Sequence, residues 1–372
     1  MAASVCKVVN LPLNSGLQFG RAPSRGVRRR GGPMQRQVFM NPVTGKILQI
    51  LVRRTGFVSG EELCHELQMT RSAVWKHVVQ LRQCGYRINA VTGKGYRLAE
   101  LTGMPVSGEV APLLTTSRFG RNHVFLDSTV STNLVARAMA REGEHEGSIV
   151  VADHQSGGRG RMGRRWISPP GVNLYCSLLL RPAVPSRRVP EIPLLAAAAI
   201  HQALSREFPG LQSSIKWPND ILVNGRKVCG ILCEMESEPD MTHFVVVGFG
   251  LNVNLAVIPE ELQGTATSIF QETGRPASRS NLLAEILNGF EPVYEEWLAH
   301  DDLGSAVAYL EEHSWLKNKT VCIEQVNRRF SGRVCGFGRE GQLLLEAEDG
   351  TRLSVFSGEA HLHETNNLRV SS

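Results

Sequence analysis

A chain of 372 residues, 42% hydrophobic and 20% charged, is long enough for two or three domains with real cores. No apolar run approaches the length that spans a bilayer, which excludes a helical membrane protein. The net charge of +6 is local: residues 1–45 hold Lys7 and six arginines with no acidic residue, so the remainder sits at −1.

Residues 1–40 are rich in Gly, Pro, Ser and Arg without periodicity and read as a disordered extension. Their Arg-rich, acid-free composition also resembles a transit peptide, while Met34 and Met40 offer later starts. Residues 41–100 read as a winged helix-turn-helix. Ile47, Leu48, Ile50 and Leu51 make one apolar helical face, Ser59-Gly-Glu-Glu62 begins a capping box, and Arg71–Arg82 forms a third helix. In that helix Val74, Val78 and Leu81 face inward, leaving Arg71, Ser72 and Lys76 to read a major groove. Trp75 fits either an exposed position or packing against the wing. Tyr86–Leu98 alternates as a hairpin turning at Gly93-Lys94-Gly95, which puts Lys94 against phosphate. A small helical domain used for protein contacts is the competing reading.

Residues 101–119 read as a linker, and 120–314 as a second domain. Val124–Leu126 is a first strand. Ser131, Thr132 and Asn133 then open a helix, where capping alone would account for them. Gly147–Asp153 and Asn173–Leu180 read as strands, Ile192–Phe208 as a buried helix. Ile215–Val223 reads as a strand interrupted by Pro218, and its Lys216 is costly to bury unless an anion meets it. Asn224-Gly225 predicts a type I′ turn into Arg226–Glu234. A strand over Phe244–Asn254 and helices over Ser280–His300 and Ser305–His313 follow, predicting a mixed sheet with helices on one face. Residues 315–372 carry short strands at the spacing of a small β-barrel. The fold class expected is therefore α+β and multidomain. Eight scattered cysteines show no C-x-x-C pair and no histidines at zinc spacing, so no metal site is read and a reducing, cytoplasmic setting is expected.

The most informative stretch is Gly157–Trp166, with four glycines and four arginines in ten residues. Bare backbone N–H groups and guanidinium forks can wrap an anion there, and a mobile loop between two strands is expected. The segment formally matches a dinucleotide fingerprint, but no amphipathic helix follows Gly163, and no P-loop Lys-Ser/Thr is present.

Gly-Arg-Gly-Arg-x-Gly-Arg-x-Trp, Lys216-Trp-Pro-Asn-Asp220, Ser131-Thr-Asn133 and Arg226–Glu234, in this order, closely resemble biotin protein ligases. With the winged helix the resemblance extends to the bifunctional bacterial members that are both ligase and biotin operon repressor. It implies a class II synthetase-like central domain, an SH3-like C-terminal barrel, and use of biotin with ATP and Mg2+. It also implies transfer to a lysine of the biotin carboxyl carrier protein of acetyl-CoA carboxylase. Operator DNA and a homodimer in the adenylate-bound state are the other implied partners. By resemblance, Ser131, Thr132, Asn133, Gln155, Arg159, Gly160, Arg161 and Lys216 meet biotin, with Lys216 and Arg161 catalytic. Trp166, Asn219, Lys227, Gly230 and Asn252 fall near the nucleotide. A repressor with a decayed enzyme domain and a lipoate ligase are the alternatives.

Overall fold

The computed structural model describes residues 42–238, 240–325 and 327–363. The extension read over 1–40 lies outside the described residues.

Three helices, α1 (Pro42–Arg53), α2 (Gly60–Leu67) and α3 (Arg71–Gln83), precede a hairpin of β1 (Arg87–Val91) and β2 (Gly95–Glu100). The periodicity of α3 buries Val74, Val78 and Leu81 against Ile47, Leu48, Leu51 and Leu63. Thr70 and Ser59 cap α3 and α2 by accepting the N–H groups of Ala73 and Glu62. Half of the expected capping box forms, because the Glu62 carboxylate pairs with Arg54 at 3.0 Å. Gly95, at φ +101°, lets the wing close on Val58, which exchanges two 2.8 Å backbone bonds with Tyr96. Trp75 is 56% exposed, so it does not pack on the wing. Arg71, Ser72, Lys76 and Lys94 are exposed too.

A short helix, α4 (Ser107–Val110), leads to a seven-stranded sheet and its helices. In chain order these are β3 (His123–Thr129), α5 (Thr132–Arg141), β4 (Ile149–Gln155), β5 (Leu174–Leu180) and α6 (Ile192–Glu207). Then come β6 (Ser213–Lys216), β7 (Asp220–Val223), β8 (Arg226–Ser237), β9 (Thr242–Leu251), α7 (Ile269–Thr273), α8 (Arg279–Ala299) and α9 (Ala306–Glu312). The strand order is β3-β4-β5-β9-β8-β7-β6; β3 and β4 run parallel and the other pairs antiparallel, so the sheet is mixed as expected. Ile215–Val223 is a hairpin rather than one interrupted strand, since β6 pairs antiparallel with β7 around a cis Trp217-Pro218 bond. Asn224 and Gly225 both have positive φ, as the predicted turn requires.

Helices cover both faces, not one. Ile149, Val151, Leu178, Val245 and Val247 pack toward α6 and α8, whereas the alternating Val150, Leu179, Phe244 and Val246 pack toward Ala136 and Ala140 of α5. Period-two alternation in β4, β5 and β9 feeds two cores because both side-chain sets are apolar. The α5 side is only partly covered, and its uncovered part is the site described below.

The last strands, β10 (Thr320–Glu324), β11 (Arg329–Phe337), β12 (Leu343–Glu346), β13 (Arg352–Val355) and β14 (Glu359–Leu362), form an antiparallel sheet ordered β13-β12-β11-β10-β14. Its buried Val321, Ile323, Val334, Leu343 and Leu345 are continuous with the core around α6 and α8.

The winged helix meets the rest of the chain at Glu109, whose carboxylate is fully buried. One oxygen accepts from Tyr86 Oη (2.8 Å), Thr102 N (3.1 Å) and Thr102 Oγ1 (2.5 Å). The other accepts from Gly103 N (2.9 Å) and from Ser280 Oγ (3.0 Å) on α8. A glutamine here would turn an NH2 group onto donors. Glu109→Gln is expected to lower stability by about 2 kcal/mol, read from chemical denaturation; an unchanged midpoint would show that this carboxylate does not hold the two parts together.

Candidate functional site

Register across the sheet builds the site. Lys216, Asp220, Gly230, Gly250 and Tyr175 are successive Cα partners on β6, β7, β8, β9 and β5, so they share one face. In the neighbouring row Leu232, Gly248 and Ser177 are partners. Three glycines thus leave a bare floor on the α5 face. The Trp166 indole lies on that floor, where a Cβ at Gly230 would come within 3.0 Å of its ring and one at Gly250 would collide with it. The Asn133 carboxamide occupies the equivalent space over Gly248.

Every site residue predicted for the central domain lines one cavity on this floor. Ser131, Thr132, Asn133 and Gln155 form one end. Arg159, Gly160, Arg161 and Trp166 form the flap side; Lys216, Asn219, Lys227, Gly230 and Asn252 line the rest. The four DNA-reading candidates lie on α3 and the wing, outside this cavity.

The arginine segment turns tightly. Gly160 N donates to Arg164 O at 2.7 Å and Trp166 N to Gly158 O at 2.9 Å, with Met162 and Gly163 both at positive φ. Its side chains are tethered from two directions. Arg161 donates to Asn219 Oδ1 at 3.0 Å and to Gly358 O at 3.2 Å, while Arg164 grips Glu359 through two 2.5 Å contacts. Those bonds hold the Glu359 carboxyl below its usual range. Arg159 and Arg165 are exposed.

Ser131 precedes α5 as its N-cap residue but makes no side-chain cap bond, so capping does not account for the Ser-Thr-Asn run. The side chains turn to the site instead. Gln155 Oε1 accepts from Thr132 N at 2.9 Å, and Asn133 Nδ2 donates to Glu234 Oε2 at 2.7 Å.

Lys216 is half-buried, with its ammonium 5.6 Å from the centre of the Trp315 ring. Burial lowers its pKa below 10.5 despite the attraction of Asp220 and Glu359. Lys227 instead has an ion pair with Asp220 at 2.6 Å. Asn252, at the cavity wall, donates to Thr267 O at 3.0 Å and accepts from Asn173 Nδ2 at 3.2 Å. The buried Trp166 Nε1 has no hydrogen-bond partner among the described residues. Among the described residues no cluster of three or more His, Cys, Asp or Glu could hold a metal ion.

Sequence reasoning missed Gly248, Gly250, Asp220 and Glu359. A Gly-x-Gly inside the apolar run 244–251 was a legible sign of close approach. Glu359 carried no local signal, because it reaches the cavity only through the docking of β14.

Comparison with known proteins finds relatives of both the N-terminal and the central parts of the chain. A model of the biotin/lipoate A/B protein ligase family matches residues 125–252, and a model of a helix-turn-helix domain matches 44–97. The chain is 38% identical over 308 residues to the bifunctional ligase/repressor BirA of Bacillus subtilis (strain 168), covering 82% of this chain and 94% of that protein. It is 36% identical over 190 residues to the biotin–[acetyl-CoA-carboxylase] ligase of Paracoccus denitrificans, covering 47% of this chain and 78% of that one. Its fold resembles the biotin protein ligase from Aquifex aeolicus in complex with biotin and ATP: TM-score 0.57, 28% identity, over 65% of this chain and 99% of that one.

The floor gives a direct test. Gly248→Ala forces the Asn133 carboxamide off its seat and is expected to cost about 2 kcal/mol. Gly289→Ala, whose nearest neighbour is Ala199 O at 3.9 Å, is expected to be neutral or stabilising by up to about 1 kcal/mol. Equal melting temperatures for the two variants would contradict the packing.

Proposed function

The chain belongs to the biotin protein ligase family, in its bifunctional ligase/repressor form, and on that premise we propose how this cavity carries out the chemistry. The protein is an ATP-dependent biotin–[acetyl-CoA-carboxylase] ligase joined to a helix-turn-helix repressor domain, and it binds biotin and ATP. In the first half-reaction a biotin carboxylate oxygen attacks the α-phosphorus of ATP. The bond to pyrophosphate breaks and biotinyl-5′-AMP forms. In the second, the neutral amine of a lysine on the biotin carboxyl carrier protein attacks the acyl carbon. The bond to AMP breaks, the nitrogen loses a proton, and an amide remains.

Both reactants of the first step are anionic, so the work falls on positioning and charge neutralisation rather than on a nucleophilic side chain. The observation that carries the assignment is the convergence of Lys216 and Arg161 on one cavity where neither has an ion-pair partner among the described residues. Lys216 and Arg161 are the catalytic pair, neutralising the carboxylate and α-phosphate. Ser131, Thr132, Asn133 and Gln155 hold the biotin rings, and Arg159 and Gly160 close over biotin and the acyl phosphate. Trp166, Asn219, Lys227, Gly230 and Asn252 face the nucleotide. Bound Mg2+ would neutralise phosphate charge; it usually takes one or two carboxylates with phosphate oxygens, and Asp220 and Glu359 are the carboxylates at this cavity.

In the repressor role, Arg71, Ser72 and Lys76 read the major groove of operator DNA and Lys94 meets phosphate, with a homodimer formed in the adenylate-bound state. Their exposure on α3 and the wing supports this. We read the domains as 1–40, 41–100, 101–119, 120–314 and 315–372, with a class II synthetase-like centre and an SH3-like final barrel. Free cysteines support a reducing, cytoplasmic setting.

Incubation of the protein with biotin, MgATP and a purified carrier domain is expected to add one biotin mass to that domain. Lys216→Ala is expected to reduce adenylate formation by about 100-fold or more with the melting temperature kept, and retained turnover removes Lys216 from its role. Lys76→Ala is expected to weaken operator binding. A DNA affinity unchanged across a salt titration would show that α3 does not enter the groove.

A further inference from the structure

The Lys216 ammonium sits at the end of a flexible four-carbon stem, so its place in the cavity has to be held by something. The two carboxylates of the cavity are taken, Asp220 by Lys227 and Glu359 by Arg164. Beside Lys216 stands instead the Trp315 ring, whose centre lies 5.6 Å from Nζ. Trp315 is not among the residues that line the cavity; it belongs to the link between α9 and β10.

That link is stitched onto the edge of the seven-stranded sheet, of which β6 is the last strand. Ile215 N donates to His313 O and Trp315 N donates to Ile215 O, both at 2.8 Å, and Ser314 is the parallel bridge partner of Ile215. With this register the next residues, Lys216 and Trp315, fall beside each other on one face. Past Trp315 the chain buries Leu316 and turns, with Asn318 at φ +62° and Lys319 N donating to Leu316 O at 3.0 Å. The turn is tied to β11, since Asn318 N donates to Val334 O at 3.1 Å and Val334 N to Lys319 O at 2.9 Å. It returns the Lys319 ammonium to 3.7 Å from the centre of the same ring. Backbone bonds on both sides thus fix an indole that serves two ammoniums.

We propose that Trp315 is a positioning residue for adenylate formation, its ring aiming Lys216 at the carboxylate and α-phosphate without neutralising it. A carboxylate in this place would also localise the ammonium, but it would cancel the charge and occupy N–H donors. An aromatic face attracts through its quadrupole and leaves the full charge and three N–H donors for an anion. The inference rests on the catalytic reading of Lys216 given above. It gives the link to the C-terminal sheet a part in the chemistry, because shifting residues 313–315 along β6 would take the ring away from the ammonium.

Fluorinated tryptophan separates the charge of the ring face from its packing. Singly, doubly and triply fluorinated analogues, placed at position 315 alone in the full chain, drain negative potential from the face while nearly keeping its shape. The single-turnover rate of biotinyl-5′-AMP formation from biotin and MgATP is expected to fall stepwise along the series, by about fivefold at its end. Trp315→Phe, which keeps an aromatic face, is expected to retain more of the rate than Trp315→Leu. In a Lys216→Ala background the fluorinated series is expected to be flat within about twofold, since the ring then has no ammonium to aim at the reactants. That background also tells support of Lys216 from support of Lys319, which it leaves in place. A rate indifferent to fluorination, an equal fall without Lys216, or equal rates for Trp315→Phe and Trp315→Leu would overturn the assignment of Trp315 and leave the role of Lys216 standing. Undiminished turnover in Lys216→Ala itself would overturn the catalytic reading and this proposal together.

Discussion

Six basic side chains line one cavity that contains two carboxylates, and how four of them are shared between those acids governs the site. Lys227 takes Asp220 at 2.6 Å and Arg164 takes Glu359 at 2.5 Å. Lys216 and Arg161 are left with neutral partners, an indole face for one and two amide oxygens for the other. A partly buried ammonium without a carboxylate of its own is disfavoured, which is why its pKa falls. The same deficit becomes attraction once an anion enters, and two anions that repel each other in water can share it.

Such an arrangement requires the backbone to place charges without letting them collapse onto acids. The β6–β7 hairpin sets Lys216 opposite Asp220 at its narrow end, and Trp217 is anchored by its Nε1 donating to Gly341 O at 3.1 Å. Beside them the glycines at 230 and 250 leave room for a flat indole, over which Lys227 sits at 5.5 Å. The arginine segment lies between this floor and β14, held by Gly358 and Glu359. Its glycines serve close turning, and its arginines serve tethering as much as ligand contact.

Much of this was legible in the sequence because short-range chemistry carried it. Val74, Val78 and Leu81 marked a helix face, Asn224-Gly225 marked a turn, and an awkward Lys216 marked a site. What escaped was set by alternation and docking. Two apolar side-chain sets in β4, β5 and β9 hid the second helical face, since a strand buried on both sides shows no polar stripe. Ser131 resembled a cap, yet the hydroxyls turned inward because Ser177 and Gln155 offered partners that lie 45 and 23 residues away from Thr132. Glu359 became a site residue only through β14 pairing with β10.

The two flanking units are attached by different physics. The C-terminal sheet shares an apolar core with α6 and α8, so it cannot be displaced without exposing Val321, Ile323 and Leu343. That rigidity suits a unit whose Glu359 and Gly358 hold the arginine segment. The winged helix has its own core, on which Val106 and, from β3, Phe125 also pack, and it joins in addition at the polar knot of Glu109, through Tyr86, Thr102 and Ser280. Next to Ser280, Arg279 is paired with Asp153 at 2.8 Å and donates to Asn173 O at 3.1 Å. Asp153 lies two residues before Gln155 on β4. A directional polar contact fixes an orientation that shared apolar area does not, because hydrogen bonds fail with a change of angle while apolar contact slides. The winged helix therefore takes a bearing from the N-terminus of α8, the same helix end that braces the strand carrying Gln155.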